Sequence, residues 1–248
     1  MAGHSKWAQI KRQKQAADFR KGQIFSKLAR EIHVAVREGG PNPETNVRLR
    51  MAIERARREG MPKDTIENAI AKASGTAGGA AEYETIVYEG YGPGGVAIMA
   101  IALTDNRNRT ASVVRHVFSK YGGSLGETGS VAWQFETVGQ IVVATDGHDP
   151  EEIALAAIDA GARDFEVEDD SVIVTTDPDQ LSDVAEKLEA AGYQIRQADI
   201  QRIPTTTVEL EGSQAQSALK LLEALEDLDD VQEVYTNASF PAEVRSAV

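Results

Sequence analysis

The sequence predicts an α+β protein: an N-terminal three-helix domain followed by two ferredoxin-like α/β sandwich domains, the last inserted into the middle one. Two observations carry this expectation. Apolar residues recur at helical spacing as far as residue 75 and then give way to β-branched runs that alternate with helical ones. Within residues 139–203 the elements read βαββαβ, the order of the split βαβ unit, and the segments on either side read as two halves of one more such unit.

Taken in order, residues 21–38 place Ile24, Leu28, Ile32 and Ala35 on one stripe, flanked by Phe25, Ala29 and Val36, and Gly39-Gly40 stops the helix. Asn42-Pro43 reads as an N-cap followed by an N1 proline for a second helix, in which Leu49, Ala52, Ile53 and Ala56 share a face until Gly60. A short third helix follows Pro62 with Ile66, Ala69, Ile70 and Ala73 inward. Residues 74–81 are small, uncharged and glycine-rich, a linker composition that closes the first domain. Beyond it come a strand at 96–103, a helix at 110–121 and a strand at 131–135, with 85–89 as an additional hairpin partner. The inserted unit follows, as strand 140–145, helix 150–160, strands 164–168 and 172–176, helix 179–191 and strand 194–203. Strand 206–210, helix 213–225 and strand 231–237 complete the interrupted unit. The expected domains are therefore 1–75, a discontinuous 82–138 plus 204–248, and 139–203.

Composition narrows the function classes. The longest apolar run, residues 96–103, has 8 residues against the ~20 that a bilayer-spanning helix needs. The opening MAGHSKWAQIKRQ has no secretory apolar core, so a soluble cytoplasmic protein with no membrane partner is expected. With 0 Cys, thiol nucleophiles, thiolate zinc sites and disulfides are excluded. The net charge of -13 hides a strong asymmetry: residues 1–75 carry +8 and the rest -21. A basic head on acidic domains selects a polyanion for the head. The inserted domain, at -12, should repel nucleic acid.

The head concentrates its charge in residues 6–21, where Lys6, Lys11, Arg12, Lys14, Arg20 and Lys21 face a single acid, Asp18, with Trp7 and Phe19 interleaved. Cations neutralise phosphates and aromatic rings stack on unpaired bases, although Trp7 and Ile10 are equally explained as anchors to the helical domain. On the second helix Arg48, Arg50, Arg55 and Arg57 flank the apolar stripe and read as stems covering the core, whereas Arg58 lies nearly opposite it and is a better outward candidate. The segment TDNRNRT at 104–110 joins a strand to a helix, so helix-start N–H groups and the guanidinium groups of Arg107 and Arg109 converge on one loop. That is a phosphate site, or else a turn whose arginines pair with local acids. The glycines of 122–130 permit either a close ligand approach or simply tight turns. GYGPGG at 90–95 matches GxGxxG formally, but a strand follows where the dinucleotide fingerprint needs a helix, so a glycine-rich hairpin is the reading. No GxxxxGK[ST] or HExxH occurs and the 4 histidines are scattered, so no catalytic residue, metal site or cofactor is assigned.

The runs GHSKW at 3–7, IK at 10–11, Asp18-x-Arg20, IFSKL at 24–28, MPKD at 61–64, YEGYGPGG at 88–95, TDNRNRT at 104–110 and GGSLGETGSV at 122–131 together resemble the YebC/PmpR family over nearly the whole chain. The resemblance implies a three-domain, non-enzymatic, cytoplasmic protein. It implies either a DNA-binding transcriptional regulator or a ribosome-associated translation factor that relieves stalling on proline-rich stretches, with mitochondrial translational activators among its relatives. The expected partner is nucleic acid, either promoter DNA or ribosomal RNA in the ribosome, and the oligomeric state is open. The residues expected to touch it are Lys6, Trp7, Lys11, Arg12, Lys14, Arg20, Lys21, Lys27, Arg58, Arg107 and Arg109. The rival classes are a protein-interaction module whose acidic domains dock a basic partner, and a hydrolase, for which no general base stands out.

Overall fold

A computed structural model of the chain describes residues 21–75 and 83–241, with side chains from Ile24 onward. Helix α1 (Lys21–Gly39) buries Leu28, Ile32, Ala35 and Val36. Helix α2 (Val47–Arg58) buries Leu49, Ala52, Ile53 and Ala56, and α3 (Lys63–Ala73) buries Ile66 and Ala73. The cap of α2 differs from expectation. Asn42 accepts the Glu44 N–H in a turn at 3.0 Å, and the N-cap is Asn46. Asn46 Oδ1 accepts the Leu49 N–H at 3.0 Å while its Nδ2 donates to the carbonyls of Ala35 and Gly40, both at 2.8 Å. One buried amide thus starts α2 and closes α1, an arrangement that wins because every polar atom is satisfied. A Cβ on Gly39 would lie 2.6 Å from Asn46 Nδ2, so this junction needs glycine.

The described residues pack as two compact units. One holds 21–30, 83–136 and 203–241; the other holds 31–75 and 137–202. The first is built on an antiparallel sheet of order β3-β1-β2-β9, with β1 (Glu84–Tyr91), β2 (Ala97–Thr104), β3 (Ser124–Leu125) and β9 (Val231–Thr236). Helices α4 (Arg107–Lys120) and α7 (Gly212–Glu226) cover one face, where Ile98, Ala100, Phe118, Leu221 and Leu222 form the core. A smaller apolar cluster of Ala97, Met99, Val131 and Tyr235 lies on the other face.

The segment 85–89 forms the expected hairpin partner, paired with β2 from Glu84↔Thr104 to Tyr91↔Ala97, and the strand that holds it lies in the interior of the sheet. Two other strand expectations are corrected here. Residues 131–135 do not form a separate strand. Ala132–Gln134 is a 3₁₀ turn, and the N–H groups of Val131 and Ala132 go to the Glu89 carboxylate, so they are unavailable to a ladder. The place beside β1 is taken by β3 instead. Of 206–210 only β8 (Val208–Glu209) pairs, parallel to β10 (Ala238–Ser239). The order is still that of a ferredoxin-like sandwich, but β1, ahead of the βαβ unit, supplies the interior strand expected after the insertion.

The second unit holds the inserted sheet, order β5-β6-β4-β7, with β4 (Phe135–Ala144), β5 (Asp164–Val167), β6 (Ser171–Thr176) and β7 (Ile195–Pro204). Helices α5 (Pro150–Ala160) and α6 (Leu181–Ala190) bury Ile153, Ala157, Val184 and Leu188 against Ile141, Val143, Val172 and Val174. The βαββαβ reading holds throughout, down to the left-handed Gly161 that ends α5 at φ 112°. Within this unit α2 packs on α6 and Val47 joins the core.

Replacing Asn46 by Ala removes the cap and strands two carbonyls. Urea denaturation is expected to show a loss of about 1–3 kcal/mol, with Asn42→Ala near neutral.

Candidate nucleic-acid interface

The cationic candidates divide by what each one touches. Lys6, Trp7, Lys11, Arg12, Lys14 and Arg20 lie outside the described residues, as does the side chain of Lys21. Lys27 donates to the Glu226 carbonyl in the last turn of α7, where the partial negative end of a helix favours a cation. Three residues on, Arg30 Nη2 lies 3.1 Å from Asp230 Oδ1. Lys27 and Arg30 are thus both used inside the first unit.

Asp230 is also where the 104–110 loop is tied down. Asn106 caps α4, its Oδ1 accepting the Arg109 N–H at 3.1 Å, and its own N–H goes to Thr104 Oγ1 at 2.9 Å. Thr110 Oγ1 donates to Asp230 Oδ2 at 2.6 Å, and Arg109 Nη2 bonds both Asp105 Oδ1 (2.8 Å) and Asp230 Oδ2 (3.0 Å). Burial pushes the Asp230 carboxyl up, but hydrogen bonds from Thr110 and Arg109 and the charges of Arg30 and Arg109 outweigh it, holding the group below its ordinary value. Arg109 therefore pairs with local acids, the second of the two readings offered for this loop. Arg107 is different: it is exposed, and among the described residues its ion-pair partner is Glu84, at 3.6 Å.

Of the four α2 arginines flanking the stripe, Arg48, Arg50 and Arg55 form ion pairs within the second unit, whereas Arg57 is exposed rather than laid over the core. Arg48 is largely buried between Glu38 and Asp199, Arg50 lies 2.5 Å from Glu189, and Arg55 lies 3.2 Å from Glu31. Burial alone would lower the affinity of Arg48 for its proton, yet Asp199 and Glu38 raise it overall. Arg58 is exposed.

The glycine-rich loop of the first unit is also filled from within. Glu89, buried on β1, accepts N–H groups from Gly129 (2.8 Å), Val131 (2.9 Å) and Ala132 (2.8 Å). Three convergent amides form an anion nest, and the protein's own carboxylate occupies it. Burial pushes this carboxyl up, but the three N–H donors hold it below its ordinary value. A Cβ on Gly90 would sit 2.5 Å from the Ser124 carbonyl, so β3 can approach β1 only at glycine. GYGPGG forms the expected tight hairpin, with Gly94 and Gly95 at φ 76° and 75°.

A profile for the N-terminal domain of TACO1/YebC proteins matches residues 5–76, and one for their second and third domains matches residues 83–238. The chain belongs to the TACO1/YebC family. It is 98% identical over 248 residues, the whole of both chains, to a protein of Thermomicrobium roseum named "probable transcriptional regulatory protein". A protein of the same name from Pelotomaculum thermopropionicum is 54% identical over 96% of this chain and 98% of its own. The crystal structure of a conserved hypothetical protein from Aquifex aeolicus is similar at TM-score 0.80 and 49% identity, covering 90% of this chain and 92% of that one.

Sequence reading missed several residues of this TACO1/YebC chain. Asp230 and Glu89 look like any other surface acids in the sequence, and only the partners that converge on them set them apart. Trp133, which the sequence does not single out, is 72% exposed. Its indole N–H and the Tyr91 O–H both donate to the Ser130 carbonyl at 3.1 Å, so two aromatic rings are held by their edges at the mouth of the loop. A ring fixed this way leaves a face free to stack. Among the described residues no group of His, Asp or Glu could hold a metal ion, and no helix is long and apolar enough to cross a membrane.

Two outcomes are expected. Arg109→Ala lowers the melting temperature while Arg107→Ala leaves it unchanged, as read by calorimetry. Glu89 and Asp230 take up protons in the folded state only at lower pH than in the unfolded chain, so their contribution is complete above the ordinary carboxylate range and disappears as pH falls through the depressed values. Glu89→Gln is accordingly expected to cost about 1–3 kcal/mol at pH 7 and to flatten the acid limb of stability against pH in thermal melts.

Proposed function

We propose that the chain is a non-catalytic, cytoplasmic regulator of gene expression that binds nucleic acid, most directly promoter DNA, through its basic N-terminal domain. The observation that carries this reading is the charge division, +8 in residues 1–75 against -21 in the remainder, in a family whose relatives are named as probable transcriptional regulatory proteins. In this reading the chain works as three domains, 1–75, 82–138 plus 204–248, and 139–203. Residues Lys6, Trp7, Lys11, Arg12, Lys14, Arg20 and Lys21 grip the phosphate backbone, with Arg58 and Arg107 as outlying contacts. Lys27 and Arg109 act as positioning residues.

The disposition of cations supports this assignment. Those with structural duties pair with acids or carbonyls, whereas Arg37, Arg57, Arg58 and Lys72 on α1–α3 are exposed. An exposed cation is placed to displace counterions from a polyanion.

Charge reversal at Lys11, Arg12 and Lys14 to Glu is expected to weaken DNA binding across sequences and to reduce the log–log salt slope by roughly 0.7–0.9 for each phosphate no longer neutralised. Fluorescence anisotropy over a salt series measures both. Crosslinking in cells followed by sequencing of the bound nucleic acid identifies the target. Promoter DNA supports the reading, ribosomal RNA moves the target to the ribosome, and recovery of neither overturns nucleic-acid binding.

A further inference from the structure

The first unit carries a pair of aromatic rings whose polar edges are already bonded and whose faces are not covered by another ring. Trp133 lies in the Ala132–Gln134 turn that follows the glycine-rich loop, and that turn is fixed from within by the Val131 and Ala132 N–H groups on Glu89. The Trp133 indole N–H and the Tyr91 O–H donate to one acceptor, the Ser130 carbonyl, each at 3.1 Å. Behind them stands a buried amide, Gln134, whose Nε2 reaches the Tyr91 oxygen at 3.5 Å and whose Oε1 accepts from Asn237 Nδ2 at 3.0 Å. Asn237 in turn accepts the Ala97 N–H of β2 at 2.8 Å. The pair is thereby tied to the sheet and loses little freedom on meeting a ligand.

Trp133 is 72% exposed and Tyr91 38%, and among the described residues no other ring stacks on either. The surroundings are not those of an apolar docking face. Among the described residues of this unit, the other exposed large hydrophobic ones are Tyr83, beyond the far end of β1, and Val113, on α4. The loop beside Trp133 is Gly126-Glu127-Thr128-Gly129, so an apolar protein segment would lack the wider patch it needs. With the ring edges hydrogen-bonded internally, what remains is π-surface, which selects a flat aromatic partner. Charge allows that partner to belong to a polyanion. The four acids of residues 226–230 lie toward the Leu103 end of β2, where the Leu103 N–H bonds the Asp230 carbonyl, whereas Tyr91 pairs with Ala97 about 20 Å away along the strand. Closer to the pair are Lys120, four residues ahead of the Ser124 that pairs with Tyr91, and Glu127 and Glu136, so both signs are present.

We propose that Trp133 and Tyr91 form a stacking platform for an unpaired nucleobase of the nucleic acid that the basic N-terminal domain holds. Resting on the nucleic-acid reading above, this platform adds a requirement to it: the strand presented to the first unit is single, because the faces of paired bases in a duplex are already stacked on one another. The basic domain supplies charge and the platform supplies stacking, which tolerates any sequence since every base has a π-face.

The test uses the full chain labelled with 5-fluorotryptophan. Its 2 tryptophans, Trp7 and Trp133, give two fluorine resonances, assigned with Trp133→Phe, and the chain is titrated with oligothymidylate and with a blunt duplex of the same length. Oligothymidylate is expected to shift the Trp133 resonance and the duplex to leave it in place. Trp133→Leu keeps an apolar side chain but removes the aromatic face. At so exposed a position it should leave the melting temperature intact and weaken oligothymidylate binding, read by anisotropy, about tenfold, whereas Trp133→Phe should retain most of the affinity. Should the leucine variant misfold, the Trp133 resonance of the unsubstituted chain still decides. A strand that binds without moving Trp133, a duplex that moves it equally, or a folded Trp133→Leu chain that binds the strand as tightly as before overturns the platform and leaves the nucleic-acid reading in place. So does a dimer in sedimentation that Trp133→Leu converts to monomer, which would make a second copy the occupant. Failure of both strand and duplex to bind overturns the platform and the nucleic-acid reading together.

Discussion

The Asp230 carboxylate is the constraint on which the first unit depends. It is largely buried just ahead of β9, and it collects Arg30 from α1 and Arg109 and Thr110 from α4, while its backbone carbonyl accepts the Leu103 N–H at the end of β2. A buried carboxylate is tolerated only when it is paired and hydrogen-bonded, so three elements must be in place for any of them to be stable there. Helix α1 is thereby seated on the sheet by a charge rather than by apolar contact alone, and the Arg109 guanidinium of the 104–110 segment is paired with Asp105 and Asp230.

The same physics recurs at Glu89. Three backbone amides in the glycine-rich loop converge as they would on a phosphate, and an internal carboxylate takes that place. Where an outside anion is absent, an inside one lets a loop with few side chains of its own hold a single shape. That shape in turn fixes Trp133 and Tyr91 through the Ser130 carbonyl. The first unit therefore satisfies its own loops electrostatically and presents outward an exposed arginine, Arg107, and an edge-held aromatic pair.

Charge in this chain does two jobs, and the structure separates them. Arg30, Arg48, Arg50 and Arg109 form ion pairs that hold elements together, so a count of basic residues does not by itself measure a binding surface. Acids behave likewise: Asp230 and Glu89 are internal fastenings, each held by the donors that converge on it. Sign alone identifies which polyelectrolyte can approach, and burial identifies which charges can meet it.

Much of the fold was legible because it is local. The 3.6-residue stripe of α1, the glycines that end α1 and α5, and the βαββαβ order of residues 139–203 each follow from a few neighbouring residues, and the division into a basic head and acidic remainder follows from counting. What tertiary structure alone decided depends on partners distant in the chain. Asn46 rather than Asn42 caps α2 because Ala35 and Gly40 offer it two carbonyls. Residues 131–135 turn instead of extending because Glu89, some forty residues earlier, takes their amides. β1 became an interior strand, and Arg109 a fastening, because β3 and Asp230 were brought to them. Periodicity and capping are written in the chain, but the choice among satisfied arrangements for a buried polar group is made only when the groups that satisfy it have been folded into reach.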